Sequence, residues 1–423
     1  MISRSTTTTA LAVLGLLGWG CGSDDGGADP SSGTTGGSST GEVTPGSTSS
    51  GSTGDAADDT STGGSSSGGE PEPQGFDPKG DAPDLLSEYG LLDWDGTEFT
   101  YRENVYPYDM NTSLFSDFAL KDRAIFIPPG ETATYPEMSY PDNQVIDFPV
   151  GTVIVKSFSF PADFSQPDQN IDLIETRLLL RYPDEWVALP YVWDHELGDA
   201  VLTVQGDTRQ VTFIDAEGTE QTANYLVPQK NQCAECHELK EEKGDDTFIT
   251  PIGPNPRNLN RLGANGDNQL EHMAAAGVLE GLPPLAEVPQ TWDDRALEDT
   301  PVEELDPETL VRAARDYLDV NCAHCHNPRG VSGISSQLFL NFDNEDEFNL
   351  GVCKAPGSAG NSGNLDYDIV PGNADESILI FRTESENVGN MMPLLGRSLV
   401  HRDGIALLRA WIDAMPPNDC MSE

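Results

Sequence analysis

Two short segments of this 423-residue chain share the same order of cysteine and histidine. Residues 233–237, the first motif, read Cys-Ala-Glu-Cys-His, and residues 322–326, the second motif, read Cys-Ala-His-Cys-His. The spacing places two thiols on one helical turn, and an imidazole follows the second thiol directly. A polypeptide attaches a c-type haem by this pattern, in which the thiols bond to the porphyrin and the imidazole reaches its iron.

The sequence therefore predicts two haem c groups as cofactors. We expect thioether bonds at four cysteines and iron ligands at two histidines: Cys233, Cys236, Cys322, Cys325, His237 and His326. Two other arrangements use Cys-x-x-Cys pairs, namely a zinc site with four cysteines and a thioredoxin-like redox pair. A zinc site needs no histidine directly after each pair, and a redox pair needs no second copy, so both explain less of the pattern.

The N-terminus predicts export from a bacterial cell. Residues 1–20 combine an early arginine with an apolar run that is too short to span a membrane, as in a signal peptide. Cys21 follows the run, which is typical of a lipoprotein whose new N-terminal cysteine carries the lipid. Trp19 lies where a small residue is usual, so plain secretion is the alternative. We expect a lipoprotein anchored to a membrane on the periplasmic or surface side of the cell envelope.

Composition divides the rest of the chain. Residues 21–75 are rich in Gly, Ser and Thr and contain no aromatic side chain, so we expect a disordered linker. We predict a β-rich domain in residues 76–227, a first haem-binding region in residues 228–304 and a cytochrome c-like domain in residues 305–423.

The formal net charge is −48, from 71 acidic and 23 basic side chains. This balance excludes a phosphate-binding surface and argues against nucleic acid as a partner. An unidentified redox partner protein with a basic surface would be attracted to such a chain, and a solvated acidic surface without a specific partner is the alternative.

Apolar and polar residues alternate with period two between residues 123 and 226. The alternation predicts six strands, separated by turn residues, at residues 124–127, 152–158, 174–182, 186–193, 200–204 and 210–215. Frequent turns and little helix favour an antiparallel, β-sandwich-like domain. The predicted fold class is thus a multidomain α+β chain, in which this β domain precedes mainly α-helical, cytochrome c-like haem domains.

The last part of the chain reads helix, second motif, helix, Met-Pro loop and helix. Apolar periodicity predicts the helices at residues 307–320, 378–381 and 403–415. This is the order of a cytochrome c domain, in which the methionine of the loop is the sixth iron ligand. We assign that role to Met392, which precedes Pro393, with Met391 in reserve.

Three further expectations concern single residues. The carbonyl of Pro254 could orient His237, as groups around metal-bound imidazoles do, or the segment is a proline-rich connector. His272 and Met273 are the nearest candidates for the sixth ligand of the first haem, unless both are ordinary residues of a helix at residues 269–276. The remaining cysteines, Cys353 and Cys420, form a disulfide in an exported protein, or else are two buried thiols.

From about residue 85 to residue 412 the chain resembles an uncharacterised bacterial family of dihaem c-type cytochromes. The resemblance rests on several segments along the chain, at residues 109–117, 186–193, 232–260, 321–328, 351–354, 369–373 and 391–401. It implies two covalent haems, an exported location and electron transfer, and it brings no substrate.

The sequence thus favours electron transfer at the cell envelope as the function. One alternative is an oxidoreductase of the dihaem peroxidase type, in which the iron of the first haem is five-coordinate and open to peroxide. Another is a binding module built on the β domain with the haems as a redox accessory.

Overall fold

The computed structural model describes residues 74–136, 145–241, 246–331, 336–357 and 361–420. All of these residues belong to one compact unit. The expected signal peptide, the lipidation of Cys21 and the linker as far as residue 73 lie outside the described ranges.

An antiparallel sheet forms the centre of the first half. Its strands are β3 (Val105–Pro107), β4 (Leu120–Phe126), β6 (Val153–Pro161), β7 (Ile171–Arg181), β8 (Trp186–Asp194) and β9 (Asp199–Leu202). They lie in the order β3-β4-β6-β7-β8-β9 and all pair antiparallel. Five of the six predicted strands correspond to β4, β6, β7, β8 and β9, with bounds that differ by a few residues. The sixth, at residues 210–215, lies outside this sheet, and β3 was not predicted.

The two faces of the sheet are covered by different parts of the chain. Side chains alternate between the faces, so Val153 and Val155 of β6 point to one face and Ile154 points to the other. The first face packs against the N-terminal segment, including Tyr89 and the hairpin of β1 (Leu92–Trp94) and β2 (Phe99–Tyr101). We call the face that carries Ile154 the inner face.

The inner face has two coverings. Near Phe158 it packs against Phe213 and Tyr225 from the hairpin of β10 (Asp207–Ile214) and β11 (Glu220–Val227). Near Ile154 it packs against residues that follow the first motif, such as Leu270. The second layer is therefore a hairpin and a later region of the chain, and the described residues do not form a full second sheet as in a sandwich.

Short elements follow β11. They are α1 (Ala234–His237), β12 (Glu238–Lys240), β13 (Thr247–Ile249), α2 (Pro256–Leu259), α3 (Gln269–Ala275), β14 (Leu279–Glu280) and α4 (Ala296–Asp299). Leu259, Leu270 and Met273 share one apolar cluster with the sheet, and β14 pairs with β5 (Ala133–Thr134). This region packs on the sheet, and its described residues show no separate core.

The last part contains the two long helices of the described chain. They are α5 (Pro307–Asn321) and α8 (Arg402–Ala414), with α6 (Glu347–Leu350) and α7 (Ile378–Glu384) between them. The side chain of Asp306 caps α5 by accepting hydrogen bonds from two backbone N–H groups. The buried faces of α5 and α8 pack together, and Gly404 permits the close approach because a Cβ atom there would lie 2.4 Å from the Tyr317 ring.

The described chain has mixed α and β content with an antiparallel sheet. Its second half contains more loop than the expected mainly helical domains, because proline, glycine and asparagine interrupt the apolar periodicity between α5 and α8. A disulfide joins Cys353 to Cys420 and ties this loop region to the end of the chain.

Candidate functional site

The first motif lies on a single turn between two strands. A 3₁₀ turn, Lys230–Cys233, follows β11 and continues into α1, which ends at His237. The chain then turns directly into β12. The two thiols and the imidazole therefore lie between β11, which pairs with β10, and β12, which pairs with β13.

The second motif begins where α5 ends. Cys322 terminates the helix, and its carbonyl accepts hydrogen bonds from the N–H groups of Cys325 at 3.1 Å and His326 at 2.9 Å. The motif is thus one tight turn at the C-terminus of the longest helix in the described residues.

The two motifs are in contact with each other. The thiol of Cys325 donates to the carbonyl of Glu235 at 3.2 Å. One side-chain atom from each of Cys236, His324 and Cys325 lies within 4.8 Å of the other two. The segments that follow the motifs also pair, since Lys240 N–H donates to the Arg329 carbonyl at 2.9 Å. The sequence predicts the motifs in separate domains, and nothing in it indicates this contact.

The four thiols do not converge on one point. Cys233 and Cys322 lie outside the group formed by Cys236, His324 and Cys325. Burial raises the pKa of the Cys322 thiol to about 12, and it also raises that of Cys233, against the opposing effect of nearby Arg177. A zinc site with four cysteines is therefore not formed by the described residues.

Each motif lines its own cavity. The first cavity, of about 270 Å³, contains Cys233, Cys236 and His237 in its wall. The second cavity, of about 190 Å³, contains Cys322, Cys325 and His326. Four residues line both cavities: Cys236, His324, Pro393 and Leu395.

His237 is oriented by a backbone carbonyl. Its Nδ1 atom lies 2.8 Å from the carbonyl oxygen of Thr250, so Nδ1–H donates and Nε2 is left to act as a ligand atom. The expected partner was Pro254, whose carbonyl instead accepts from Ile146 N–H at 3.2 Å. The reason is the pairing of β12 with β13, which brings Thr250 opposite His237.

Both motif histidines favour the neutral form. Burial lowers the pKa of His326 to about 4, and the Leu338 backbone opposes the change in part. Burial likewise lowers the pKa of His237, with Lys156 adding to the effect. Nδ1 of His326 is buried and makes no hydrogen bond of normal geometry. A neutral imidazole is the form that coordinates a metal.

The methionines separate into two groups. Met392 lines the second cavity, whereas Met391 is buried and does not line it. The first cavity also has a methionine in its wall, Met110. Met110 lies more than 100 residues before the motif, so the sequence did not indicate that it belongs to this cavity. Met110 also lies close to the loop after the motif, because a Cβ atom added to Gly253 would be 3.6 Å from the Cε atom of Met110.

His272 and Met273 do not line either cavity. His272 is exposed and bonds to Asn265 at 3.2 Å. Met273 is buried in the apolar cluster under the sheet. The structure thus assigns both residues to ordinary places in α3, which was the alternative in the sequence analysis.

A loop at residues 109–117 connects both motif regions. The amide of Asn258, in α2, donates to the carbonyl of Thr112 at 3.0 Å. Asn321, the residue before Cys322, accepts from Phe115 N–H at 2.8 Å and donates to the Ser113 carbonyl at 3.1 Å. These groups are buried or half-buried, so their hydrogen bonds fix the two regions relative to the loop.

A buried ion pair joins the same regions directly. Arg257 of α2 pairs with Asp316 of α5 and, at 3.0 Å, with Asp319. Its guanidinium also stacks on Phe342, 3.4 Å from the ring centroid. Arg257 and Asp316 are nearly inaccessible to solvent, with 5% and 4% of their side chains exposed.

Comparisons with models of protein families, with curated proteins and with solved structures found no match to this chain. No helix in the described ranges is long and apolar enough to cross a membrane. The two motifs and their cavities are therefore the features that indicate the chemistry of the site.

We predict that Arg257→Met lowers the free energy of unfolding by about 3–5 kcal/mol, because it removes the close cation of the buried Asp316 and an ion pair of the half-buried Asp319. The half-exposed Arg312, 3.8 Å from Asp316, would remain as a weaker partner. Denaturant unfolding followed by tryptophan fluorescence measures the change. The control is Arg102→Met, which removes an exposed ion pair with Asp93 and should cost no more than about 1 kcal/mol. Equal effects of the two substitutions would contradict a structural role for the buried pair.

Proposed function

We propose that this chain is a dihaem c-type cytochrome that transfers electrons at the bacterial cell envelope. The observation that carries the proposal is the contact between two complete Cys-x-x-Cys-His motifs, each in the wall of its own cavity. A haem at each motif would supply an iron that accepts and releases one electron. The chain's own residues hold the two attachment points next to each other.

The donor set of each cavity fits a haem. Each has two thiols on one turn for thioether bonds and one imidazole for the iron. In the first cavity the hydrogen bond to Thr250 fixes the tautomer of His237, with Nε2 available as the ligand atom. In the second cavity burial keeps His326 neutral, as a ligand must be.

A single metal ion is the other chemistry that this arrangement could support. Cys236, His324 and Cys325 would supply three ligands of a zinc-like site. That arrangement would leave four residues in the cavity walls without a role, namely Cys233, Cys322, His237 and His326. Two haems use these four residues together with Cys236 and Cys325, and leave His324 without a role. The haem proposal therefore accounts for more of the site.

Adjacent attachment points favour electron transfer within the molecule. Thioether bonds at Cys236 and Cys325 would begin at sulfur atoms that lie within 4.8 Å of each other. Pro393 and Leu395 line both cavities, so apolar side chains also lie between the two attachment sites. The acidic surface would favour a basic redox partner, and a lipid on Cys21 would keep the protein at the membrane.

The sixth ligands decide between a carrier and a catalyst. Met392 and His326 line the same cavity, which supports a cytochrome c-like His/Met pair at the second motif. Met110 offers a thioether to the first cavity. An iron with six protein ligands suits electron transfer, and an open position on the first iron would suit the dihaem peroxidase alternative.

We expect two covalent haems per chain in protein matured in a bacterial envelope. Denaturing mass spectrometry and a pyridine haemochrome assay give the number. Cys233→Ser with Cys236→Ser should retain one haem, because the second motif has its own thiols. Protein that carries zinc and no covalent haem would refute the proposal.

We predict that Met392→Ala removes the contribution of the second haem to the weak sulfur-to-iron absorption band and lowers one of two midpoint potentials, because thioether ligation raises the potential of a haem. Redox titration monitored by absorption measures both effects. Met391→Ala is the matched control and should leave the band in place. If the band keeps its full intensity in Met392→Ala and weakens in the control, the neighbouring methionine is the ligand.

We predict that Met110→Ala converts one low-spin haem to a high-spin form that binds cyanide, because the first iron then lacks its sixth protein ligand. Low-temperature EPR and cyanide titration measure the change. Met273→Ala, a buried methionine that does not line the cavity, is the control and should leave the spin state unchanged. A wild-type protein with one high-spin haem and turnover of peroxide would favour the peroxidase alternative.

A further inference from the structure

Three positive side chains form a row across the inner face of the sheet. Arg123 of β4 lies directly opposite Lys156 of β6, and Lys156 lies directly opposite Arg177 of β7. We call these residues the cationic row. Like charges at directly opposite positions of neighbouring strands destabilise a sheet, so this arrangement needs a compensating interaction.

The row lies in the wall of the first cavity. All three side chains line it, together with the thiols and the imidazole of the first motif. Phe158 adds to the geometry, because Lys156 Nζ lies 5.0 Å and Arg177 Cζ 4.4 Å from its ring centroid. Lys121 approaches the same ring at 6.0 Å and extends the positive charge along β4.

The carboxylates near the row are already engaged. Glu175 is fully buried, is held by Arg177 and accepts from the Tyr225 hydroxyl at 2.7 Å. Asp109 lies 3.6 Å from Arg123 but closer to two other arginines, Arg261 at 2.9 Å and Arg295 at 3.1 Å. Asp117, near Lys121, accepts from the backbone of Ser398 and Leu399.

Lys156 has no carboxylate partner. Among the described residues it makes no ion pair and no hydrogen bond, and its contact with the ring of Phe158 is the interaction that the structure shows. Burial lowers the pKa of Lys156 well below its usual value, the neighbouring Arg123, Lys121 and Arg177 lower it further, and Glu175 opposes the change in part. In a chain with 23 basic and 71 acidic side chains, a row of cations in a cavity wall points to an anionic ligand.

We infer that the cationic row binds the propionate carboxylates of the haem attached to the first motif. This inference rests on the proposed function and deepens it, because it assigns a role to the sheet. Carboxylates form strong hydrogen bonds with arginine and lysine, and two of them would offset the mutual repulsion within the row. The positive charges also favour the reduced iron, because reduction adds a negative charge close to them.

The same cations could bind a free anion such as phosphate, and a test has to separate the two sources. A zinc ion at Cys236, His324 and Cys325 would gain nothing from cations in the adjacent cavity wall. The row is therefore an observation that a haem, with its two carboxylates, explains and a zinc ion does not.

The test is a redox titration of the matured protein carrying Lys156→Met. We expect two bound haems, unchanged ligand absorption bands and a lower midpoint potential for one haem, by about 59 mV for a tenfold change in the one-electron equilibrium. Lys156→Arg keeps the charge and should restore the potential. Lys79→Met, an exposed lysine outside the cavity, is the matched control and should change neither potential. Met392→Ala in the same background identifies the potential of the second haem.

Three results would overturn the inference. Unchanged potentials in Lys156→Met with both haems bound would show that the row is not next to a haem carboxylate. A change of one haem to high spin would make Lys156 an iron ligand instead. A wild-type potential that shifts on addition of phosphate would identify a free anion as the occupant.

If Lys156→Met does not mature, Arg123→Met provides the same test, because Arg123 lies directly opposite Lys156 in the row and lines the same cavity. Failure of the proposed function would look different from all of these results. In that case the wild-type protein itself would carry no covalent haem.

Discussion

The buried hydrogen bonds of the loop at residues 109–117 hold the two motifs in one place. The loop has no regular structure along most of its length, so its backbone groups need partners from elsewhere. The backbone of Thr112 forms hydrogen bonds with the side chain of Asn258, which follows the first motif. The backbone groups of Ser113 and Phe115 form hydrogen bonds with the side chain of Asn321, which precedes the second motif. Asp117 then bonds to the backbone of Ser398 and Leu399, close to the Met-Pro loop.

One consequence is that the site is assembled from distant parts of the chain. The sheet provides part of the wall of the first cavity, α5 leads into the second motif, and Pro393 and Leu395 line both cavities. The region after the first motif has no core of its own among its described residues and depends on the sheet for burial. A substitution in the sheet should therefore affect the first motif more than the second, which packs on the α5 and α8 cluster.

The inner face of the sheet carries an arrangement of charges that does not favour local stability. Ile154 and Phe158 are apolar and pack against the layer below the sheet. Lys156, which lies between them on β6, belongs to a row of positive side chains. Taking cations out of water costs free energy unless an opposite charge is supplied. Among the described residues no carboxylate forms an ion pair with Lys156, and the proposed haem carboxylates would supply the opposite charge.

Local patterns determined what the sequence could predict by itself. Period-two alternation located five of the six strands of the sheet, and apolar periodicity located α5 and α8. The paired cysteines and histidines identified the two motifs. Each of these patterns is formed by residues that are close together in the chain. Tertiary structure decided the rest. The contact of Cys325 with Glu235, the place of Met110 in the first cavity, the Thr250 carbonyl on His237 and the row of Arg123, Lys156 and Arg177 all depend on strand register and on packing between residues far apart in sequence. No local periodicity encodes such distances, and they became visible only when the sheet, the loop and α5 were brought together.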